Sequence, residues 1–134
     1  MDAIVRSVEA EHPAMLCTVM LVSSTGDQLV MTSAPSLPPW FHEAVTALPI
    51  APDAGCCGAA AHSGKRVIVE DIATDPRLAP WRKLAAKAKL SACWSEPIIG
   101  PCGTVFGTFA CYHRRPHMPG AAELATIAKA AQLA

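Results

Sequence analysis

Two pairs of short apolar segments, each joined by a glycine-containing turn, constrain the fold of this chain most strongly. Residues 16–23 and 28–32 flank the turn S-T-G-D, and residues 92–99 and 104–112 flank the turn G-P-C-G. Apolar and β-branched runs separated by such turns predict β-hairpins. A further short apolar run at residues 66–70 predicts a fifth strand. The pattern therefore favours an antiparallel sheet.

Helices are predicted before, between and after these strands. One begins near the N-terminus and ends at His12-Pro13, and another starts at Pro38-Pro39 and is stopped by Pro49. A third begins at Pro76 with Asp75 as its N-cap, and a fourth runs from Pro119 to the end of the chain. Helices interspersed with hairpins indicate the α+β class, with helices packed on one antiparallel sheet.

Composition narrows the class of protein. The 134 residues are enough for one domain, and 11 basic residues balance 11 acidic ones, so a strong attraction to nucleic acid or membrane surfaces is not expected. The chain has no signal-peptide pattern and no apolar run of about 20 residues. We therefore expect a cytoplasmic protein whose six cysteines are reduced thiols. Apolar helical segments at both ends, without strong caps, suggest a domain taken from a longer protein.

The segment G-C-C-G at residues 55–58 is the most unusual local pattern. Glycines on both sides of two cysteines suit a turn that enters a helix, and a disulfide between neighbouring cysteines would be strained. Cys57 and His62 alone make a poor metal site, because no C-x-x-C pair accompanies them. His113 and His117 are interpreted as part of a basic connector. No metal and no cofactor are predicted.

Five motifs, in order, resemble those of GAF domains in bacterial signalling proteins. They are A-P-S-L-P at residues 34–38, G-C-C-G-A-A at 55–60, V-I-V-E-D-I-A-T-D-P at 67–76, A-C-W-S-E-P-I at 92–98 and G-T-V-F-G-T-F-A at 103–110. The resemblance implies a GAF-like (PAS-like) sheet of five or six strands, with the terminal helices on one face and a ligand pocket on the other. It also implies a covalently linked output domain and a homodimer formed through the terminal helices.

The resemblance suggests a non-catalytic sensory domain that binds a small molecule and regulates a cyclase, phosphodiesterase or histidine kinase. Cys56 and Ala59 replace the serine and threonine usual in relatives, and the signature of cyclic-nucleotide-binding relatives is absent, so the ligand stays unidentified. The expected pocket residues are Phe41, Cys57, Ala60, Asp71, Trp94, Glu96 and Phe109.

Two alternative functions remain open from the sequence. The chain also resembles free methionine-(R)-sulfoxide reductases, in which case Cys93 would be the nucleophile, Cys57 the resolving thiol and Glu96 the group that binds the substrate amine. The aspartate and histidine of that enzyme's motif are missing here. The other alternative is a dimerisation module whose vestigial pocket is filled by Trp94.

Overall fold

One six-stranded sheet organises the computed structural model, which describes residues 2–133. The strands lie in the order β3-β2-β1-β6-β5-β4, and every neighbouring pair is antiparallel. The strands are β1 (Met15–Val22), β2 (Gln28–Ser33), β3 (Ala47–Pro49), β4 (Val67–Val69), β5 (Ala92–Ile99) and β6 (Val105–His113). The helices are α1 (Asp2–Glu11), α2 (Pro39–Ala44), α3 (Gly55–Ser63), α4 (Arg82–Ala88) and α5 (Ala121–Leu133), with a 3₁₀ turn at Pro76–Trp81. The predicted α+β class and antiparallel sheet are confirmed.

Both predicted hairpins are present, and their turns depend on glycine. Gly26, between β1 and β2, has φ of 78°, and Gly103, between β5 and β6, has φ of 79°. Side chains rarely adopt this left-handed backbone region, which glycine enters without a steric cost. The turn chemistry therefore fixes how the two hairpins close.

The central strands separate two apolar cores. Alternate residues of a strand point to opposite faces, so Cys111 of β6 faces α1 and α5 while Ala110 faces α3. Terminal helices α1 and α5 cover one face with Val5, Val8 and Ile127, each no more than 5% exposed. The other face is covered by α2, α3, the 3₁₀ turn and α4.

Two predicted helices differ from the structure. The helix that starts after Pro38 ends at Ala44, and Ala47–Pro49 instead form β3 at the edge of the sheet. An edge strand tolerates Pro49 because its missing N–H leaves no ladder bond unpaired. The helix expected from Pro76 starts as a 3₁₀ turn, since Pro80 lacks the donor that an α-helical turn needs at that point.

The predicted N-cap of this second helix is present. The Asp75 carboxylate accepts a hydrogen bond from the Arg77 backbone N–H at 2.9 Å. Across the described part of the chain, every helix is too short or too polar to cross a bilayer.

Candidate functional site

An apolar cavity lies between the sheet and the short helices that cover it. Its volume is about 50 Å³. Residues of β5 and β6 form its floor, α3 forms one wall, and α2, the 3₁₀ turn and α4 form the cover. The lining residues include Phe41, Val45, Leu48, Cys56, Cys57, Ile72, Leu78, Trp81, Leu84, Ala85, Leu90, Cys93 and Tyr112.

The G-C-C-G segment brings two thiols to the cavity wall. Gly55, with φ of 68°, turns the chain into α3, and Gly58 lies against the backbone of β3 where a side chain would not fit. The intervening Cys56 and Cys57 are therefore held in the first turn of α3, 5% and 3% exposed. Cys93 approaches the same cavity from β5 and is 1% exposed.

Burial keeps the two thiols of α3 in their protonated form. Burial raises the pKa of Cys56 well above its usual value, and the neighbouring Cys93 thiol adds to the effect. Burial also raises the pKa of Cys57, although the hydroxyls of Ser95 and Thr108 act in the opposite direction. The Cys56 thiol donates a hydrogen bond to the Val67 carbonyl at 3.3 Å. These thiols are apolar wall groups and weak donors rather than nucleophilic thiolates.

Four of the seven residues predicted for the pocket lie on the cavity side of the sheet. Phe41 and Cys57 line the cavity directly. Ala60 is fully buried on α3 but does not contribute to the lining. The Asp71 carboxylate accepts a hydrogen bond from the Ala73 backbone N–H at 3.1 Å and so orders the loop after β4.

Trp94, Glu96 and Phe109 lie on the opposite face, away from this cavity, which corrects their expected placement. Strand alternation is the physical reason: Cys93 faces the cavity, so Trp94 and Glu96 face the other way. Phe109 is paired with Glu96 in the β5–β6 register and is buried in the core under α1 and α5. Because Trp94 lies in that same core, it does not fill the cavity.

Glu96 has a partner of its own. Its carboxylate accepts hydrogen bonds from the Arg66 guanidinium at 2.7 Å and 3.3 Å, and its side chain is 16% exposed. A bidentate pair of this kind satisfies a carboxylate on a largely apolar strand. The charge of Glu96 is therefore balanced by Arg66, which lies on the chain segment entering β4.

Sequence reasoning did not find the floor and cover residues Tyr112, Leu78, Trp81 and Leu90. It also missed three buried hydroxyls on the central strands, those of Thr18, Ser95 and Thr108, of which the last two act on the Cys57 thiol. Because alternate residues of a strand share a face, Ser95 could have been assigned to the same face as Cys93. Thr108 could likewise have been assigned to the same face as Tyr112. The cover residues come from separate loops and turns and have no shared sequence signal.

The family model described as the GAF domain matches residues 1–134. The chain belongs to the GAF domain family. As a GAF domain it is 38% identical over 131 residues to the methyl sulfide methyltransferase-associated sensor of Methanosarcina acetivorans. That match covers 98% of this chain but only 13% of the sensor, so the chain spans a small part of a much longer relative.

Solved GAF structures agree with the fold. The GAF domain of an Acinetobacter phosphoenolpyruvate-protein phosphotransferase superposes with a TM-score of 0.77 at 15% identity, covering 98% of this chain and 75% of that one. Free methionine-R-sulfoxide reductase from Neisseria meningitidis, in complex with its substrate, gives 0.75 at 16% identity, covering 98% and 71%. At such low identity these likenesses establish the shared fold alone.

Proposed function

We propose that this GAF domain is a non-catalytic sensory domain that binds a small, largely apolar molecule and regulates an output domain of a longer protein. The observation that carries the proposal is the apolar cavity enclosed between the sheet and short helices, lined by Phe41, Leu84 and the protonated thiols of Cys56 and Cys57. Ligand pockets of this kind are mostly apolar with few polar groups.

The size of the cavity limits the ligand. About 50 Å³ is well below the several hundred Å³ of a typical pocket for a drug-sized molecule. The ligand is therefore either a molecule of a few heavy atoms or one that displaces part of the cover. Helices α2 and α4, of six and seven residues, are short enough to move without disturbing the sheet.

The sheet offers a direct route from the cavity to the terminal helices. Cys93 forms part of the cavity wall, and the next residue, Trp94, packs in the core beneath α1 and α5. A ligand that displaces β5 at Cys93 also displaces Trp94 and changes the packing of both helices. This two-sided contact is the proposed path to the output domain.

Native mass spectrometry of the chain purified from cells tests the ligand proposal. We expect an added mass that is lost on denaturation and is absent from Ala85→Leu, in which three added carbons occupy the cavity. Ala86→Leu is the matched control, because Ala86 is the exposed neighbour on the same helix. Retention of the same added mass by Ala85→Leu would contradict binding in this cavity, as would a bare wild-type mass in every expression host.

A reductase is the second candidate, because Cys56, Cys57 and Cys93 share one cavity and a reductase shares the fold. The protonated state of the α3 thiols argues against it, as does the pairing of Glu96 with Arg66 on the opposite face. Incubation with free methionine-(R)-sulfoxide and dithiothreitol discriminates the two. We expect no turnover above that of Cys93→Ser, and turnover that Cys93→Ser abolishes would establish the enzyme instead.

We further propose a cytoplasmic homodimer formed through α1 and α5, with no nucleic-acid or membrane partner. The helices lie side by side, and between them a groove of about 330 Å³ is lined by residues that include Ile4 and Leu133. Light scattering should give twice the monomer mass for the wild type. The double variant Ile4→Asp, Leu124→Asp should give the monomer mass. A monomeric wild type would remove this part of the proposal.

A further inference from the structure

Two histidines and a glutamate meet on the face of the sheet that carries the terminal helices, outside the ligand cavity. His113 is the last residue of β6, His117 lies in the connector, and Glu123 is in the first turn of α5. His117 Nε2 is 2.8 Å from Glu123 Oε1, and His113 Nε2 is 3.4 Å from Glu123 Oε2. The three possible ligand atoms all lie within 4.8 Å of one another.

Contacts elsewhere in the fold anchor the two histidines independently. His113 sits between Met15 and Ala92 in the sheet, and its ring stacks on Trp94 with centroids 5.3 Å apart. The backbone N–H of His117 donates to the Glu70 carbonyl at 3.0 Å, which fixes the connector. The cluster is therefore assembled by the fold rather than by chance contact of mobile side chains.

A structural role accounts for only part of the cluster. The Gly120 backbone N–H donates to Glu123 Oε1 at 3.0 Å, as in a capping box at the start of α5. That role leaves Oε2 free and does not explain why the ring of His113 is buried, with the residue only 8% exposed. His113 Nε2 makes no close hydrogen bond among the described residues, and its nearest acceptor, Glu123 Oε2, is 3.4 Å away. A buried nitrogen in this condition is costly unless another group binds it.

We propose that His113, His117 and Glu123 form a binding site for a divalent first-row transition metal ion such as Zn²⁺. Imidazole nitrogens with one carboxylate are a ligand set that such ions favour. Bonds of about 2.0–2.2 Å place tetrahedral ligands about 3.3–3.6 Å apart, which includes the 3.4 Å spacing of His113 Nε2 and Glu123 Oε2. The side chain of His117 is 35% exposed and can turn its Nε2 toward the shared point while its backbone stays anchored.

Three protein ligands leave coordination positions open to the adjoining cavity. This cavity, of about 720 Å³, is also lined by Glu11 and His12. The open coordination position of the ion would suit water or a small anion. The guanidinium of Arg114 does not compete with the ion, because it donates to the Ala88 and Lys89 carbonyls at 2.9 Å and 3.3 Å. The proposed metal site is thus separate from the ligand cavity and independent of the sensory proposal.

Metal titration of the untagged chain, stripped with chelator, tests the site. Co²⁺ should bind in a 1:1 ratio with a visible d–d absorption band, and Zn²⁺ should displace it. His117→Gln and Glu123→Gln should each lower the affinity at least about 100-fold, since loss of a direct ligand exceeds the effect of an outer-shell change. Glu123→Gln keeps an acceptor for the Gly120 N–H and so preserves the start of α5. His62→Gln, on exposed α3 surface, should leave binding unchanged.

Circular dichroism and the unfolding temperature establish that each variant is folded. Zn²⁺ should raise the unfolding temperature of the wild type and of His62→Gln, but not that of His117→Gln. The absence of saturable Co²⁺ or Zn²⁺ binding at micromolar concentrations would overturn the proposal. Binding that His117→Gln leaves intact, or that His62→Gln abolishes, would overturn it equally.

Discussion

Replacing Gly58 with alanine is a test in which two physical effects predict opposite changes in the free energy of unfolding. It is the fourth residue of α3, where replacing glycine with alanine normally stabilises a helix by about 1 kcal/mol. Here an added Cβ would overlap the Cβ of Ala54 and come within 2.7 Å of the Pro49 carbonyl oxygen. That oxygen belongs to the backbone of β3, so it cannot rotate away as a side chain would. To admit the methyl group, α3 has to move away from β3.

The steric cost should outweigh the gain in helix propensity. Forcing an extra carbon into a well-packed site costs about 1–3 kcal/mol, and contacts on two sides place Gly58 toward the upper part of this range. After subtracting the propensity term of about 1 kcal/mol, we expect Gly58→Ala to lower the free energy of unfolding by about 1–2 kcal/mol. With an unfolding entropy of about 0.3 kcal/mol/K for a chain of this length, the unfolding temperature should fall by about 3–7 °C.

Thermal unfolding followed by circular dichroism measures this change, and a double-mutant cycle identifies its cause. Ala54→Gly removes one of the two overlapping atoms, so the double variant Ala54→Gly, Gly58→Ala should lose less stability than the sum of the single changes. A coupling of about 1 kcal/mol is expected for residues in direct contact. A Gly58→Ala variant that unfolds at a higher temperature, or a cycle that is additive, would refute the steric argument.

Three further outcomes follow from the capping and burial of particular side chains. Asp75→Ala should lower the free energy of unfolding by about 1 kcal/mol in urea denaturation, because it removes an N-cap. Hydrogen bonding to Arg77 lowers the pKa of Asp75, so this contribution is present above the ordinary carboxyl pKa and is lost as pH falls through the lowered pKa of the folded state. A deficit that does not shrink as pH falls below the ordinary carboxyl pKa would contradict the assignment. Ellman's reagent should modify the exposed thiol of Cys102 rapidly and the other five only on unfolding, and a fast phase that survives in Cys102→Ser would disprove this. Burial raises the pKa of Cys56 and Cys57 above the value in the unfolded chain, so their contribution to the free energy of unfolding is complete below about pH 8 and is lost as pH rises through the thiol range. Cys57→Ala should weaken this alkaline loss. An unchanged slope of the free energy of unfolding against pH would count against it.

The hairpins could be predicted from the sequence because their signals are local. Residues 92–99 form β5 with the predicted bounds, since the turn at Gly103 fixes one end and the apolar run fixes its length. The short strand β3 could not be predicted, because Ala47–Pro49 are only three residues, end in a proline and pair with β2 across the intervening helix α2 rather than through a hairpin turn.

The cavity was only partly predictable because the central strands are covered on both faces. Such strands read as continuous apolar runs, and the alternation that would show which residues face the cavity disappears. The sequence therefore could not show which face Trp94 and Phe109 take, and the register places both under the terminal helices. His113 and His117 have an H-x₃-H spacing, which alone is a weak signal for metal, and Glu123 comes from α5, so only the fold shows that the three lie together.

The helices that cover the two faces of the sheet differ in length, and this difference affects which residues can be substituted without unfolding the domain. The cavity is covered by helices of six to nine residues, whereas the opposite face is held by helices of ten and thirteen residues. Leu48, Trp81 and Leu84 on the cavity side are only half-buried, whereas Val5, Phe109 and Ile127 are almost fully buried, so substitutions at the first three positions cost less stability. A library randomised at Trp81, Leu84 and Leu48 should therefore yield many folded proteins with new binding preferences. The same diversity at Val5, Phe109 and Ile127 should yield few, so that evolution can alter what this domain recognises while the opposite face stays fixed.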